Sequence, residues 1–132
     1  MKTLVYGSLN IDLVFAVDNI EGAGLAGLKQ GDSTEKILSS LCSIFPKTEI
    51  ILTVGKDGAH YGFGKTRAKG EIVDLPVVDT TGAGDCFSGY FIASRELGKS
   101  VQESLNIACK AASITVSRKG AMESIPFREE VF

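Results

Sequence analysis

The sequence predicts an α/β fold built around a mainly parallel sheet. Three observations carry this reading. The run at 49–55, EIILTVG, is continuously apolar and β-branched, as a strand covered on both faces would be. Such runs alternate with segments of helical period. A strand, a glycine turn and a helix meet at residues 79–89. The 132 residues suit one compact domain with a real core.

Thr3–Gly7, TLVYG, is a short apolar run ending in Gly-Ser, as a buried strand leading into a loop would. Ile11–Val17 predicts a second strand. Between Asp18 and Gly31, Gly22, Gly24, Gly27 and Gly31 crowd a segment without clear period, which marks a joint or an irregular connection. Asp32, with Glu35 three residues on, reads as a capping box. Ile37, Leu38, Leu41, Ile44 and Phe45 then follow at helical spacing until Pro46. After the strand at 49–55, Asp57-Gly58 signals a tight turn. It leads into Ala59–Phe63, a polar loop, and Glu71–Val78, the two runs reading as a hairpin. Beyond the glycines, Phe87, Tyr90, Phe91 and Ser94 keep helical spacing until Gly98, a natural residue just past a helix end. Ser100 with Glu103 forms another capping box and opens a helix through about Ser117. Its small face, Ala108, Ala111 and Ala112, permits close backbone approach.

Composition excludes several function classes. With 44% apolar and 23% charged residues and a net charge of −2, no basic surface advertises a nucleic-acid partner. Arg118-Lys119 and the Lys65–Lys69 loop read as solvated faces. Three cysteines without CxxC spacing, and a single histidine, argue against a disulfide framework, a zinc site or a histidine triad. No apolar run approaches the ~18 residues of a membrane span. The apolar N-terminus is interrupted by Asn10 and Asp12 and lacks a cleavage site, so it reads as the first strand of a cytoplasmic protein.

The sharpest chemical feature is D-T-T-G-A-G-D-C-F-S-G, Asp79 to Gly89. Glycines between a strand and a helix let several backbone N–H groups converge, and the helix dipole adds positive potential there. Asp85, in the first helical turn, can face an anion so held. A phosphoryl group beside a carboxylate is what a hydroxyl nucleophile needs: the carboxylate takes the proton, and the N–H groups take up the developing charge.

This string resembles the second signature of the PfkB/ribokinase family of carbohydrate and nucleoside kinases. The resemblance implies a ribokinase-like (Rossmann-like) three-layer α/β sheet, ATP or ADP with Mg²⁺ as cofactors, and in many members K⁺. It makes Asp85 the catalytic base and the backbone of Gly82, Ala83 and Gly84 the anion hole. It assigns Asp79, Thr81, Thr115, Arg118, Gly120 and Ser124 to a monovalent-cation site, although 115–124 reads equally as a helix C-terminus with a glycine stop. Thr53, Gly55, Lys56 and Gly58, in T-V-G-K-D-G, match the loop along the nucleotide phosphates and ribose. Cys109 falls where relatives place a residue near the nucleotide base. The helix dipole could lower the Cys86 pKa, the bland reading of both thiols being buried and structural. Asn10 and Asp12, in G-S-L-N-I-D, match sugar-hydroxyl ligands. In D-N-I-E, Glu21 matches the acid that helps position magnesium, and Asp18 replaces an asparagine.

Family members are typically more than twice this length, which implies an internally deleted member. Residues 1–17 are the first strand region, about 18–31 the junction and 32–132 the nucleotide-binding half of one domain, with the lid and central portion missing. Three functional readings follow. The first is an ATP-dependent sugar kinase acting on a sugar or polyol. The second is a truncated nucleotide- or phosphate-binding domain with little catalysis. The third is a structural module that forms homo-oligomers through uncovered apolar surface.

Overall fold

The structure, a computed structural model, describes the backbone of residues 3–8 and 11–16 and residues 32–132 in full. The strands are β1 (Thr3–Ser8), β2 (Ile11–Ala16), β3 (Ile50–Thr53), β4 (Ala59–Phe63) and β5 (Thr66–Gly70). The helices are α1 (Thr34–Ile44), α2 (Ala83–Glu96), α3 (Val101–Val116) and α4 (Arg128–Val131). None among the described residues is long and apolar enough to cross a membrane. The chain divides into two compact units: residues up to Gly55 with His60–Ala68, and Lys56–Ala59 with Lys69–Phe132.

The sheet runs β1-β2-β3-β4-β5, in chain order. This corrects the expected parallel pairing. β1 and β2 are antiparallel with Ser8 opposite Ile11, and β2 and β3 are antiparallel with Leu13 opposite Leu52. Two residues separate β1 from β2, and a parallel pair needs a crossover of about a dozen. The inference of double coverage at β3 holds, since Ile50, Ile51 and Leu52 are all buried. A continuous apolar run therefore reports coverage, not strand direction.

In the first unit, Leu38, Leu41 and Cys42 of α1 pack on Ile50 and Leu52 of β3. The cap of α1 is Ser33, not Asp32: the Ser33 hydroxyl accepts the Lys36 N–H, and Asp32 pairs instead with the Lys36 ammonium. Glu35 is thereby freed to bind Ser39 and Arg67. The hairpin is also shifted. β4 turns at Gly64-Lys65 into β5, within the stretch expected to be a polar loop. Gly64 has φ +54°, which suits the first corner of a two-residue II′ turn. The Arg67 guanidinium donates to the Gly64 and Thr66 carbonyls at 2.9 Å each, locking that turn.

Glu71–Val78 forms no strand. Its N–H groups look to α3 instead: Val73 donates to the Ser113 hydroxyl (2.9 Å) and Val78 to the Val116 carbonyl (2.7 Å).

The second unit is built on α2 and α3, which bury Cys86, Phe87 and Phe91 on one side and Leu105, Ala108 and Ala111 on the other. Gly98, at φ +79°, ends α2 as the sequence predicts. Ser100 and Glu103 form the expected reciprocal box at the start of α3. Two glycines seat the incoming chain on α3. A Cβ on Gly58 would lie 2.2 Å from the Gly70 carbonyl oxygen, and one on Gly70 would lie 2.9 Å from both the Cys109 sulfur and Leu105 Cβ.

Candidate phosphate-binding turn

The glycine turn lies wholly in the second unit. Val116, at the end of α3, accepts the N–H groups of Val78 and Asp79, which delivers the chain to the start of α2. Asp79 then ties two loops together. Its Oδ1 accepts the Thr81 N–H at 2.9 Å and its Oδ2 the Gly120 N–H at 3.2 Å. The Thr81 hydroxyl and N–H, with the Gly120 N–H, hold the Asp79 carboxyl below its ordinary range.

Gly82 is the cap residue of α2, with φ +77° and no side-chain capping bond. A left-handed conformation there disfavours any other residue. The first intrahelical bond runs from the Cys86 N–H to the Gly82 carbonyl at 2.9 Å. Before it, the Ala83 N–H reaches the Thr80 carbonyl at 3.3 Å, whereas those of Gly84 and Asp85 have no backbone acceptor among the described residues. These are the orphan donors that every helix start leaves. The Asp85 carboxylate is exposed and takes no side-chain hydrogen bond or ion pair among the described residues. Two open donors and an unengaged carboxylate thus share the first turn of α2. That arrangement can hold an oxyanion and accept a proton beside it.

The tail after α3 closes over this corner. Gly120 reaches Asp79, and the Ala121 carbonyl stands 3.7 Å from where a Gly82 Cβ would be. Ser124 is fully buried, its hydroxyl donating to Ala121. Asp79, Thr81 and Gly120 are thus joined by hydrogen bonds, and Ser124 follows in the same tail. The side chains of Thr115 and Arg118 do not join them. The Thr115 hydroxyl donates to the Ala111 carbonyl and lies 3.1 Å from the Cys86 sulfur, and Arg118 pairs with Glu130. Among the described residues, no three His, Cys, Asp or Glu side chains form a metal-holding group. The donors near Asp79 are carboxylate, hydroxyl and carbonyl oxygens, the hard set that suits an alkali or alkaline-earth cation.

The remaining predicted residues are dispersed. Thr53 ends β3 and Gly55 begins a 3₁₀ turn in the first unit, whereas Lys56 and Gly58 belong to the second. Lys56 is exposed. Gly58 is buried against Gly70, so packing alone demands a glycine there. Cys109 is also buried, its sulfur facing Gly70, and burial pushes its thiol up to about 11. Burial likewise raises Cys86, in line with the buried structural reading: desolvation outweighs the Thr115 hydroxyl. Asp12 lies in β2 opposite Gly7, and its side chain, like Asn10 and Glu21, lies outside the described residues. Sequence reasoning missed the Arg118–Glu130 pair, because nothing local links residues twelve apart in an irregular tail.

A cleft of about 440 Å³ in the first unit, between α1 and the β4–β5 turn, holds none of the predicted site residues. Its Arg67 already donates to Glu35, Ser39 and two carbonyls.

The family model for pfkB carbohydrate kinases matches residues 11–128. A ribokinase of Schizosaccharomyces pombe is 38% identical over 105 residues, which is 76% of this chain and 32% of that protein. Among solved structures, Thermotoga maritima ribokinase matches with a TM-score of 0.71 at 33% identity, covering 76% of this chain and 33% of its own. Arabidopsis thaliana ribokinase, complexed with ribose and ATP, matches with a TM-score of 0.70 and the same identity and coverage. The chain thus has a ribokinase-like α/β fold and spans about a third of the length of these relatives.

Proposed function

Because the chain belongs to the pfkB family of carbohydrate kinases, we propose that residues 32–132 form the nucleotide-binding half of a ribokinase-type sugar kinase. The carrying observation is the start of α2, where the unpartnered N–H groups of Gly84 and Asp85 stand beside the open Asp85 carboxylate. The open N–H groups of Gly84 and Asp85, at the turn formed by Gly82 and Ala83, hold the transferred phosphoryl group of ATP. The Asp85 carboxylate accepts the proton of the attacking sugar hydroxyl as that oxygen bonds to the γ-phosphorus, whose bond to the ADP oxygen breaks so that ADP leaves. Positioning and charge stabilisation supply most of the acceleration in phosphoryl transfer, so a preorganised turn is the protein's main contribution. Mg²⁺ bound with ATP would neutralise phosphate charge, as suits an E. coli relative solved with ATP and Mg²⁺. The Asp79 corner, with Gly120 and Ser124, is the place for a K⁺-class ion. By the resemblance, Asn10 and Asp12 would bind sugar hydroxyls, and Thr53, Gly55, Lys56 and Gly58 would contact the nucleotide.

The test is calorimetric titration with Mg·ADP and Mg·ATP, followed by turnover assays over a panel of pentoses, hexoses and nucleosides. Binding together with transfer to one acceptor supports the kinase. Absence of nucleotide binding refutes it.

A second reading is a nucleotide-binding domain with little catalysis. Nucleotide binding without transfer to any acceptor would select it.

A further inference from the structure

We propose that Glu130 is a positioning residue for the phosphate turn, acting through Arg118 and the tail loop the two close. The loop between α3 and α4 reaches the turn through the Gly120 N–H on Asp79. Ser124 and Pro126 are buried and Val131 joins the core, whereas Met122 is 82% and Phe127 76% exposed, so packing anchors the segment only in part. The rest of its hold is polar. Both oxygens of the Glu130 carboxylate engage the Arg118 guanidinium, a two-pronged geometry worth more than a simple surface pair. The same carboxylate accepts the Phe127 N–H at 2.7 Å. One side chain thus fastens the two ends of the 118–130 segment. The Tyr90 hydroxyl, from α2, adds a pin on the Pro126 carbonyl at 2.6 Å.

The connection to the site is continuous. Arg118 lies two residues before Gly120. Gly120 donates to one oxygen of Asp79, and the other oxygen accepts from Thr81, the neighbour of Gly82. Releasing Glu130 frees the loop to swing, loosens the Gly120 contact, and lets the turn relax from its left-handed start. Residues that hold a metal ligand commonly change its affinity by roughly tenfold or more, and Glu130, several contacts further from the phosphate, is expected to do less.

The phosphate part rests on the proposed function; the coupling of Glu130 to Gly120 does not. The experiment compares wild type, Glu130→Gln, which keeps an acceptor for Phe127 but drops the charge, and the swapped pair Arg118→Glu/Glu130→Arg. Residue-resolved amide exchange by NMR is read with and without Mg·ADP. Expected for Glu130→Gln is about tenfold faster exchange at Gly120, unchanged protection in the middle of α3, and roughly fivefold weaker Mg·ADP binding, with both changes reversed in the swap. Unchanged Gly120 exchange in Glu130→Gln, or uniform loss of protection throughout α2 and α3, overturns the proposal. Should the swap not fold, Arg118→Gln takes its place: a Gly120 effect equal to that of Glu130→Gln, and not additive with it, upholds the coupling, and additive effects overturn it. A wild type that binds no Mg·ADP refutes the phosphate-site reading, while Gly120 exchange still decides the clasp.

Discussion

The two long helices of the second unit begin in opposite ways. At α3, the Ser100 hydroxyl accepts the Glu103 N–H, and the Glu103 carboxylate reaches back to the Ser100 N–H at 2.9 Å. At α2, a left-handed glycine replaces the capping side chain and two N–H groups stay open. Both helices carry an acid in the first turn, Glu103 and Asp85, but only Glu103 turns back on its own helix. A helix start that serves stability closes its donors with its own side chains. One that serves a ligand leaves them for the ligand, and forgoes about 1 kcal/mol of cap stabilisation until it binds.

The comparison breaks most readily at the acids. In an active preparation, Asp85→Asn should lower turnover about a thousandfold, the middle of the range for a lost general base, with Mg·ADP affinity within about threefold of wild type. Steady-state kinetics beside calorimetry checks this; unaltered turnover removes Asp85 from the chemistry.

Next in size is a glycine outside both helix starts. Gly58→Ala brings a Cβ to within 2.2 Å of the Gly70 carbonyl at a backbone φ of +83°. The rigid backbone cannot yield as a side chain would, so a loss of about 3 kcal/mol is expected from denaturant unfolding. Gly82→Ala meets no such obstacle, the nearest atom being 3.7 Å away. Its cost is conformational, about 1–2 kcal/mol, with weakened affinity for ADP and none for adenosine. If Gly82→Ala proved the more destabilising of the two, the turn would be a packing element and the contrast between the helix starts would lose its meaning.

These two glycines also mark where the sequence was legible. Capping boxes, helical periods and glycine stops are local signals, and α2, α3 and the Gly98 stop were readable from them. The turn at Gly82 was readable because its whole string is local as well. Gly58 was not separable from a ligand-approach glycine, since its reason is Gly70, twelve residues on. The β5 strand was hidden by its polar composition, although Gly64-Lys65 between Phe63 and Thr66 was an available turn signal. Strand direction was misjudged because coverage of both faces accompanies parallel sheets without requiring them. Pairing of Arg118 with Glu130 depends on how an irregular tail folds back, which no periodicity encodes.

The smallest effect lies at the closed helix start. Ser100→Ala should cost about 1 kcal/mol in unfolding free energy and leave nucleotide affinity untouched, since the cap serves only α3. Its pH dependence follows from Glu103, whose carboxyl is held below its ordinary range first by the Ser100 hydroxyl and then by the Ser100 N–H. Folded glutamate binds its proton less readily than unfolded, so between the two pKa values the unfolded chain carries more protons. The contribution is therefore complete above the ordinary glutamate range and is lost as pH falls through the depressed value. The difference in melting temperature between wild type and Glu103→Gln should be constant at neutral pH and shrink below about pH 4.5. A gap that persisted or widened in acid would mean that Glu103 acts through shape instead of charge. The closed and open helix starts would then no longer differ in how they use their acids.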